Sequence, residues 1–408
     1  MHILFLSDNF PPEVNAPASR TFEHCLEWVR AGHHVTVITC APNFPKGKVY
    51  KGYRNKLWQT EEMEGIRVIR VGSYITANEG FIRRTLDYMS FMVTGFLASL
   101  FVKRVDVVVG TSPQFFTVCA AYMTGLCKQI PWVFELRDIW PESIRAVGAI
   151  ESSKVLDKLE HLELFLYRKA DAIISVTHAF RNNLIKRGVD GSKVHVITNG
   201  VDINRFTPRN KDPELVERFG LEGKFVAGYI GTHGMAHALE TVLDAAEILK
   251  GEGDEDRFRI ILLGDGANKV ALKEYANSRG LDNVIFVDSV SKREVVRLWS
   301  LLDVSIIHLK KMELFKAVIP SKLFECMGMA IPVLHGVQGE SADIVQQKNV
   351  GLVFEPQNAN DFVDSLIRLA DDKVLYQHLK ENGPAAALHY DRTVLAGEML
   401  GVLRKVVG

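Results

Sequence analysis

From end to end the chain alternates short apolar runs with longer segments of helical periodicity, and this constrains its fold more than any other feature. Runs of strand length occur at HILFLS, HVTVIT, IRVIRV, VDVVVG, WVFEL, AIISV and VHVI. The pattern restarts near residue 225 with FVAGYI, FRIILLG, NVIFV, VSIIHL, IPVL and GLVF. Helical segments over Leu239–Lys250, Val270–Ser278 and Arg293–Leu301 lie between these later runs. Strands separated by helices predict parallel sheets covered on both faces. With 408 residues, 47% of them apolar, the chain can build two large cores. The expected class is α/β: two doubly wound, Rossmann-like domains facing across a cleft, residues 1–200 and 201–388, followed by a closing helix over 389–408. TNGVDINRFTPRN, residues 198–210, reads as the joining loop, because Asn-Gly, two further Asn and a Pro interrupt both periodicities.

Charge is balanced, with Lys plus Arg and Asp plus Glu at 49 each, so no global field points to nucleic acid. Five scattered cysteines without a C-x-x-C read as reduced thiols of a cytosolic protein. The opening MHILFLSDNFPPE reads as a first strand rather than a signal peptide, lacking a basic leader. The longest apolar stretch, Arg83 to Arg104, has an uncharged centre, Tyr88 to Val102, of about 15 residues, short of the ~20 that span a bilayer. It reads as a buried helix of the first domain. The bases at its ends (Arg83, Arg84, Lys103, Arg104) keep a helix lying on a membrane surface open.

In open α/β sheets ligands sit beyond the C-terminal ends of strands, so the turns there carry the candidates. GYIGTHGMAH runs from strand to helix with Gly231, Thr232, His233 and Gly234 in a glycine turn that exposes N–H groups to a phosphate. It is not the dinucleotide G-x-G-x-x-G, and an ordinary strand-to-helix turn also explains it. LLGDGANK offers Asp265 in a tight turn, and Ser289 follows NVIFV. FELRDIWPES sets Glu135, Arg137 and Asp138 within four residues, a costly cluster at a strand unless used or paired. Trp140 follows it, and Asn15 and Arg20 lie after the first strand; these three are candidates on the acceptor side. His233 and His237 are four apart, and Asp254 to Asp256 spell D-x-D, but neither has further ligands at metal-site spacing. No P-loop, G-x-S-x-G or H-E-x-x-H is present.

VIPSKLFECMGMAIPVL, Val318 to Leu334, is the most specific stretch. At 100° per residue Ser321, Lys322, Glu325 and Gly328 share one arc, and Leu323, Phe324, Cys326, Met327 and Ala330 the other. Pro320 suits the first helical position. The polar arc sets a cation at a helix start and a carboxylate one turn deeper: a solvated face, or a site for an anion that also carries hydroxyls.

With ILFLSDNFPPE, GHHVTVIT, VITNGVD and PSKLFECMGMAIPVL in view, the chain resembles the retaining glycosyltransferases of family four, of the two-domain GT-B fold, over nearly its whole length. It is similar to a subgroup that builds bacterial surface polysaccharides such as O-antigen and capsule. The resemblance implies transfer of a sugar from a nucleotide donor, often UDP-linked, with no metal and no cofactor, since the UDP-sugar is a substrate. It implies a donor held by the second domain, an acceptor (a glycan or lipid-linked saccharide) held by the first, and a C-terminal helix, here DRTVLAGEMLGVLRKVV, crossing back to the first. It gives Glu325 the ribose hydroxyls and Lys322 the pyrophosphate; the backbone of Val318, Ile319, Pro320 and Ser321 is a further donor-side candidate, with N–H groups at all of these but Pro320. Lys322, Glu135, Arg137 and Asp138 are the expected catalytic set, and no metal ligand is expected.

Three positions depart from the family pattern. The first of its two glutamates is Ala317, THGMAH replaces an Arg/Lys pair, and Arg137 stands where a histidine is usual. These changes point to a donor sugar unlike glucose, an amino or deoxy sugar. The implied location is cytoplasmic, with peripheral contact at the inner membrane open. A nucleotide-sugar epimerase and a non-catalytic sugar-nucleotide-binding protein remain alternatives; conversion of a UDP-sugar without acceptor marks the epimerase.

Overall fold

A computed structural model describes residues 1–44, 46–76, 81–139, 153–291 and 294–408. The chain divides into two compact units, one of Met1–Thr198 with Arg392–Gly408, the other of Asn199–Asp391.

The first unit holds β1 (His2–Leu6), β2 (His34–Cys40), β3 (Trp58–Met63), β4 (Ile66–Val71), β5 (Val107–Thr111), β6 (Trp132–Leu136), β7 (Ala172–Ser175) and β8 (Val194–Val196) in the order β3-β4-β2-β1-β5-β6-β7-β8. Its helices are α1 (Ala16–Arg30), α2 (Phe81–Leu100), α3 (Phe115–Lys128), α4 (Ser153–Lys169) and α5 (His178–Lys186). β1, β2 and β5 to β7 are apolar because helices cover both their faces; β5, β6 and β7 are buried along their full length. β3 is the exception to the expected parallel sheet. It pairs antiparallel with β4 at the edge, and its residues alternate exposed and half-buried. WQTEEM lacks an apolar run because only one of its faces meets protein.

The second unit holds β9 (Phe225–Ile230), β10 (Phe258–Leu263), β11 (Val284–Val287), β12 (Val304–His308), β13 (Val333–Gly336) and β14 (Gly351–Val353), ordered β11-β10-β9-β12-β13-β14 and all parallel. Its helices are α6 (Pro213–Phe219), α7 (Glu240–Gly251), α8 (Lys269–Ser278), α9 (Val295–Trp299), α10 (Lys322–Gly328), α11 (Glu340–Lys348), α12 (Ala359–Asp371) and α13 (Lys373–Ala387). Successive residues of β9 feed opposite layers. Val226 and Ile230 join Leu323, Phe324 and Trp299, whereas Ala227 and Tyr229 join Val242, Leu243 and Phe362. Gly228 is needed here, since a Cβ would lie 2.2 Å from Leu302 Cδ2.

α14 (Arg392–Val407) belongs to the first unit. Leu395, Ala396, Met399 and Leu403 share a core with Ile3, Phe5 and Trp28, and Trp28 Nε1 donates to the Ala396 carbonyl at 2.9 Å. Arg392 pairs with Glu23 of α1.

The expected buried helix over 83–104 is only partly so. α2 buries Asp87, Phe91, Ala98 and Ser99, and leaves Leu86, Met89, Val93, Leu97 and Leu100 exposed. Gly328, placed above on the polar arc of its helix, is instead buried; a Cβ there would lie 2.6 Å from the Phe206 carbonyl oxygen. Pro320 precedes the N-cap Ser321 and is not the first helical residue.

Glu135, on buried β6, finds its partner on α1: Arg20 Nε donates to Oε1 at 2.8 Å. Arg20 also donates to the carbonyls of Thr198 (2.6 Å) and Ile197 (3.0 Å), so one guanidinium ties α1, β6 and the chain beyond β8 together. Burial raises the Glu135 pKa, and Arg20 followed by Arg137 outweighs it, so the carboxyl lies below its usual range. Removing one member of a buried pair leaves the other charge stranded in the core. Arg20→Met is therefore expected to lower the stability of the first unit by about 3–5 kcal/mol in urea unfolding. Arg20→Met with Glu135→Leu should recover much of that loss; an unchanged midpoint for the single variant would show that the pair contributes nothing.

Candidate functional site

In the second unit the winding reverses at β9, with β10 and β11 on one side and β12 to β14 on the other, and ligand sites form beyond strand ends at such a switch point. Two turns meet there. The Gly231 N–H donates to the Leu263 carbonyl (2.9 Å), the His233 N–H to the Asp265 carbonyl (2.9 Å), and the Asn268 N–H to the His233 carbonyl (3.0 Å). This contact requires glycine. A Cβ on Gly264 (φ +149°) would lie 1.8 Å from the Gly231 carbonyl oxygen, and one on Gly266 (φ +155°) 2.5 Å from that of His233. Lys269, buried at the start of α8, braces the second turn: its Nζ donates to the Gly264 carbonyl at 2.7 Å and pairs with Asp288.

Lys322, first residue of α10, reaches into this turn. Its Nζ stands 3.6 Å above the Tyr229 ring centre and would be 2.9 Å from a Cβ on Gly231. Its stem is half-buried, but Nζ is enclosed and has no hydrogen-bond partner among the described residues. Burial pushes its pKa down to about 7, opposed by Cys326 and Glu325. The Tyr229 ring face supplies a cation–π contact, and its hydroxyl donates to the Thr232 carbonyl at 2.8 Å.

His233 is fully buried, and neither ring nitrogen has a hydrogen-bond partner among the described residues. Burial, then Lys269, pushes its pKa down to about 4. His237 is likewise lowered to about 4 by burial and then Lys322. His308 donates through Nδ1 to the His237 carbonyl (2.8 Å) and accepts the Gln357 N–H at Nε2 (2.9 Å), which fixes its tautomer. The site thus sets the Lys322 ammonium beside neutral imidazoles.

Glu325 lies half-buried in the first turn of α10, Ser321 at its N-cap, and Val318 and Pro320 half-buried before it. The Ile319 side chain belongs to the core, leaving its backbone for a ligand. Ala317 ends the short helix Glu313–Ala317. Thr232 and Asp265 are exposed on the paired turns, with Asp265 Oδ1 accepting the Gly266 N–H at 2.8 Å. Gly234 follows as the cap of the short helix Met235–His237. Ser289 is exposed after the edge strand β11, which lies two strands from β9. Tyr229 and Lys269 were missed in the sequence. Their signals were a hydroxyl-bearing aromatic within an apolar strand and a lysine three residues after Gly266.

The first unit has its own switch point, between β1 and β5. A cavity of about 260 Å³ opens there, lined by Asp8, Asn9, Asn15, Arg84, Asp87 and Tyr88 among others. Asn15 caps α1, accepting the Ala18 N–H at 2.8 Å, and its Nδ2 donates to Asn9 Oδ1 at 2.9 Å. Asp8 Oδ1 is buried without a partner among the described residues. Burial, with Asp87 and Glu13, pushes the Asp8 pKa up to about 8, and burial pushes Asp87 up to about 6. Both were missed; the signal for Asp87 is an acidic residue on the helix face of Phe91 and Ala98.

Glu135 and Arg20 do not line this cavity. They form an enclosed ion pair with each other. Arg137 and Asp138 follow β6 half-buried, their N–H groups donating to Ser112 Oγ at 2.8 and 3.3 Å. Arg137 Nη1 is buried without a partner among the described residues. Burial lowers the Arg137 pKa to about 10. Trp140 lies outside the described residues. Among the described residues no group of three or more His, Cys, Asp or Glu is placed to hold a metal ion.

Residues 18–205 match the family model Glycosyltransferase Family 4, and residues 212–386 match Glycosyl transferases group 1. The chain belongs to the family-four glycosyltransferases and has their GT-B fold. It is similar to the putative colanic acid biosynthesis glycosyl transferase WcaI of Escherichia coli strain K12, 28% identical over 79% of this chain and 80% of that protein. A GDP-mannose-dependent alpha-mannosyltransferase of Mycobacterium tuberculosis is 24% identical over 86% of this chain and 83% of its own. Anabaena Alr3699/HepE, solved in complex with UDP, shares the fold with a TM-score of 0.72 at 16% identity, covering 99% of this chain and 100% of that one. The protein is a glycosyltransferase.

The buried ammonium yields a stability test. The Lys322 pKa is depressed in the folded state, so the unfolded chain binds more protons between about 7 and 10.5. The cost of burying the charge is complete below pH 7 and fades as pH rises through that window. Lys322→Met is expected to stabilise the second unit at pH 6.5 by roughly 2–4 kcal/mol. That gain should shrink toward pH 10 in unfolding titrations, whereas a pH-independent difference would place the charge in solvent.

Proposed function

We propose that the protein transfers an amino or deoxy sugar from a UDP-sugar to a glycan or lipid-linked saccharide with retention and without a metal ion, on the cytoplasmic side of the inner membrane. The observation that carries the donor half is the enclosed, unpartnered Lys322 ammonium at the switch point of the second unit. A buried cation without a counter-ion is costly, and a diphosphate relieves that cost by supplying one. Lys322 also takes up a proton as the anion binds, because a neighbouring negative charge favours the ammonium. Glu325, one turn deeper, accepts hydrogen bonds from the ribose diol.

In the proposed step the bond from the sugar C1 to the β-phosphate oxygen breaks, and a bond to the acceptor oxygen forms on the same face. The acceptor proton passes to the departing phosphate. Lys322 and the N–H groups of the Gly231–Gly234 turn stabilise the charge that develops on the diphosphate. Asp138 and Arg137 serve the acceptor or the transferred sugar. UDP is preferred here on the likeness to a UDP-bound fold, although two relatives are named for GDP-mannose.

A thermal-shift series over UDP, GDP, ADP and UDP-sugars tests this. A ligand at 100 times its dissociation constant stabilises by about 2.7 kcal/mol, and UDP should give the largest shift. A larger shift from GDP would overturn the donor assignment. Transfer should continue in EDTA; loss on chelation, restored by manganese or magnesium, would end the metal-free reading.

Glu325→Gln removes the charge and keeps the shape. It is expected to weaken UDP at least roughly tenfold, since charge-assisted bonds contribute ~1.5–3 kcal/mol each. A 2′,3′-dideoxy UDP should bind the wild type poorly and lose little more on the variant. Parallel losses for both nucleotides would make Glu325 structural rather than a ribose ligand.

A further inference from the structure

The outer face of α2 is apolar and uncovered. Leu86, Met89, Val93, Leu97 and Leu100 are each 40–51% exposed. At 100° per residue they fall within about 80° of one another, a single stripe. Phe101, 74% exposed, continues it, and its ring meets Trp58 edge to face at 6.2 Å between centroids. Leu57 beside Trp58 is 84% exposed. Scattered exposed apolar residues need no explanation, but a contiguous stripe of this kind marks an interaction surface.

Its rim decides the partner. Arg83, Arg84, Lys103 and Arg104 are exposed at the two ends of the stripe, and Arg54 and Lys56 beside Leu57. The one acidic residue between positions 83 and 105, Asp87, is buried on the opposite face of α2. Two copies meeting through this face would set like charges against each other, whereas an anionic surface matches them. From Leu86 to Phe101 the stripe is only about 22 Å long at 1.5 Å per residue, so it suits a helix lying in the lipid interface. No described helix is long and apolar enough to cross a membrane.

We propose that the outer face of α2, with Leu57 and Trp58, seats the protein on an anionic lipid bilayer. Arg84, Asp87 and Tyr88 of the same helix line the Asp8 cavity, so docking sets that cavity beside the lipid headgroups. This rests on the glycosyltransferase reading only for its purpose, the meeting with a lipid-linked acceptor; the docking itself stands on the surface alone.

Vesicle flotation tests it, with phosphatidylcholine alone against phosphatidylcholine containing a third phosphatidylglycerol. The wild type should float with the anionic vesicles at low salt and release as salt rises. Leu97→Ser with Phe101→Ser, and separately Lys103→Gln with Arg104→Gln, should weaken binding at least about tenfold. All four residues are exposed, so melting temperature and the UDP thermal shift should be unchanged. No binding to anionic vesicles at low salt would overturn the proposal, as would variants that bind like the wild type. So would a solution dimer that Phe101→Ser dissolves. The UDP shift separates the two readings: flotation without a shift leaves docking standing and removes the donor assignment, and the reverse result removes docking alone.

Discussion

The donor-side site depends on how closely two backbone turns approach each other. β9 and β10 run in register, Phe258 opposite Phe225 through Leu263 opposite Ile230, so their following turns emerge side by side. They lie flat together only because Gly264 and Gly266 have no Cβ to strike the Gly231 and His233 carbonyls. That leaves Gly231 bare beside Tyr229, and Lys322 fills the space. A larger residue at any of these glycines would displace the ammonium or separate the turns. The charge is thus positioned by backbone geometry rather than by a hydrogen bond, which keeps its donors available to a ligand.

The first unit meets the same requirement with opposite charge. The segment after β1 is held by side chains from other elements: Glu13 Oε1 accepts the N–H groups of Asn43 (2.7 Å) and Phe44 (2.9 Å), and Arg70 donates to the Pro11 carbonyl at 2.5 Å. Asp8 shares its cavity with Asp87, and burial, followed by Asp87 and then Glu13, raises the Asp8 pKa to about 8. At neutral pH one carboxyl of such a pair retains a proton and can donate as well as accept, which suits hydroxyl groups.

Much of this was legible in the sequence, for definite reasons. Buried parallel strands have to be apolar on both faces, so each appeared as a continuous run, and the glycine turns stood at their ends. β3 escaped because an edge strand with one covered face needs no such run. The Arg20–Glu135 pair escaped because its members are far apart in sequence, and the visible cluster of Glu135, Arg137 and Asp138 drew the reading to its own segment. Gly328 was misplaced because a helical wheel assigns direction, not neighbours, and only the fold brings the Phe206 carbonyl against it. The exposed stripe of α2 was hidden by hydrophobicity on both faces, which a sequence cannot divide between core and surface.

The alanine at position 317 gains meaning from the charges around it. With His233 and His237 held neutral by burial and Lys269 paired with Asp288, Lys322 is the cation of these turns whose ammonium has no hydrogen-bond partner among the described residues. A carboxylate at 317 would bring a second charge toward the transferred sugar and favour hydroxyls that donate to it. Alanine removes that acceptor, so a sugar rich in hydroxyls gains less there, and one bearing an amide or a methyl group loses less. On the proposed reading, the diphosphate is then recognised by charge at Lys322 and the sugar by shape and neutral hydrogen bonds, which separates donor affinity from sugar selectivity. Restoring the carboxylate by Ala317→Glu should therefore shift the preference among UDP-sugars toward fully hydroxylated ones while leaving UDP itself bound as before, in competition assays of each sugar nucleotide against UDP.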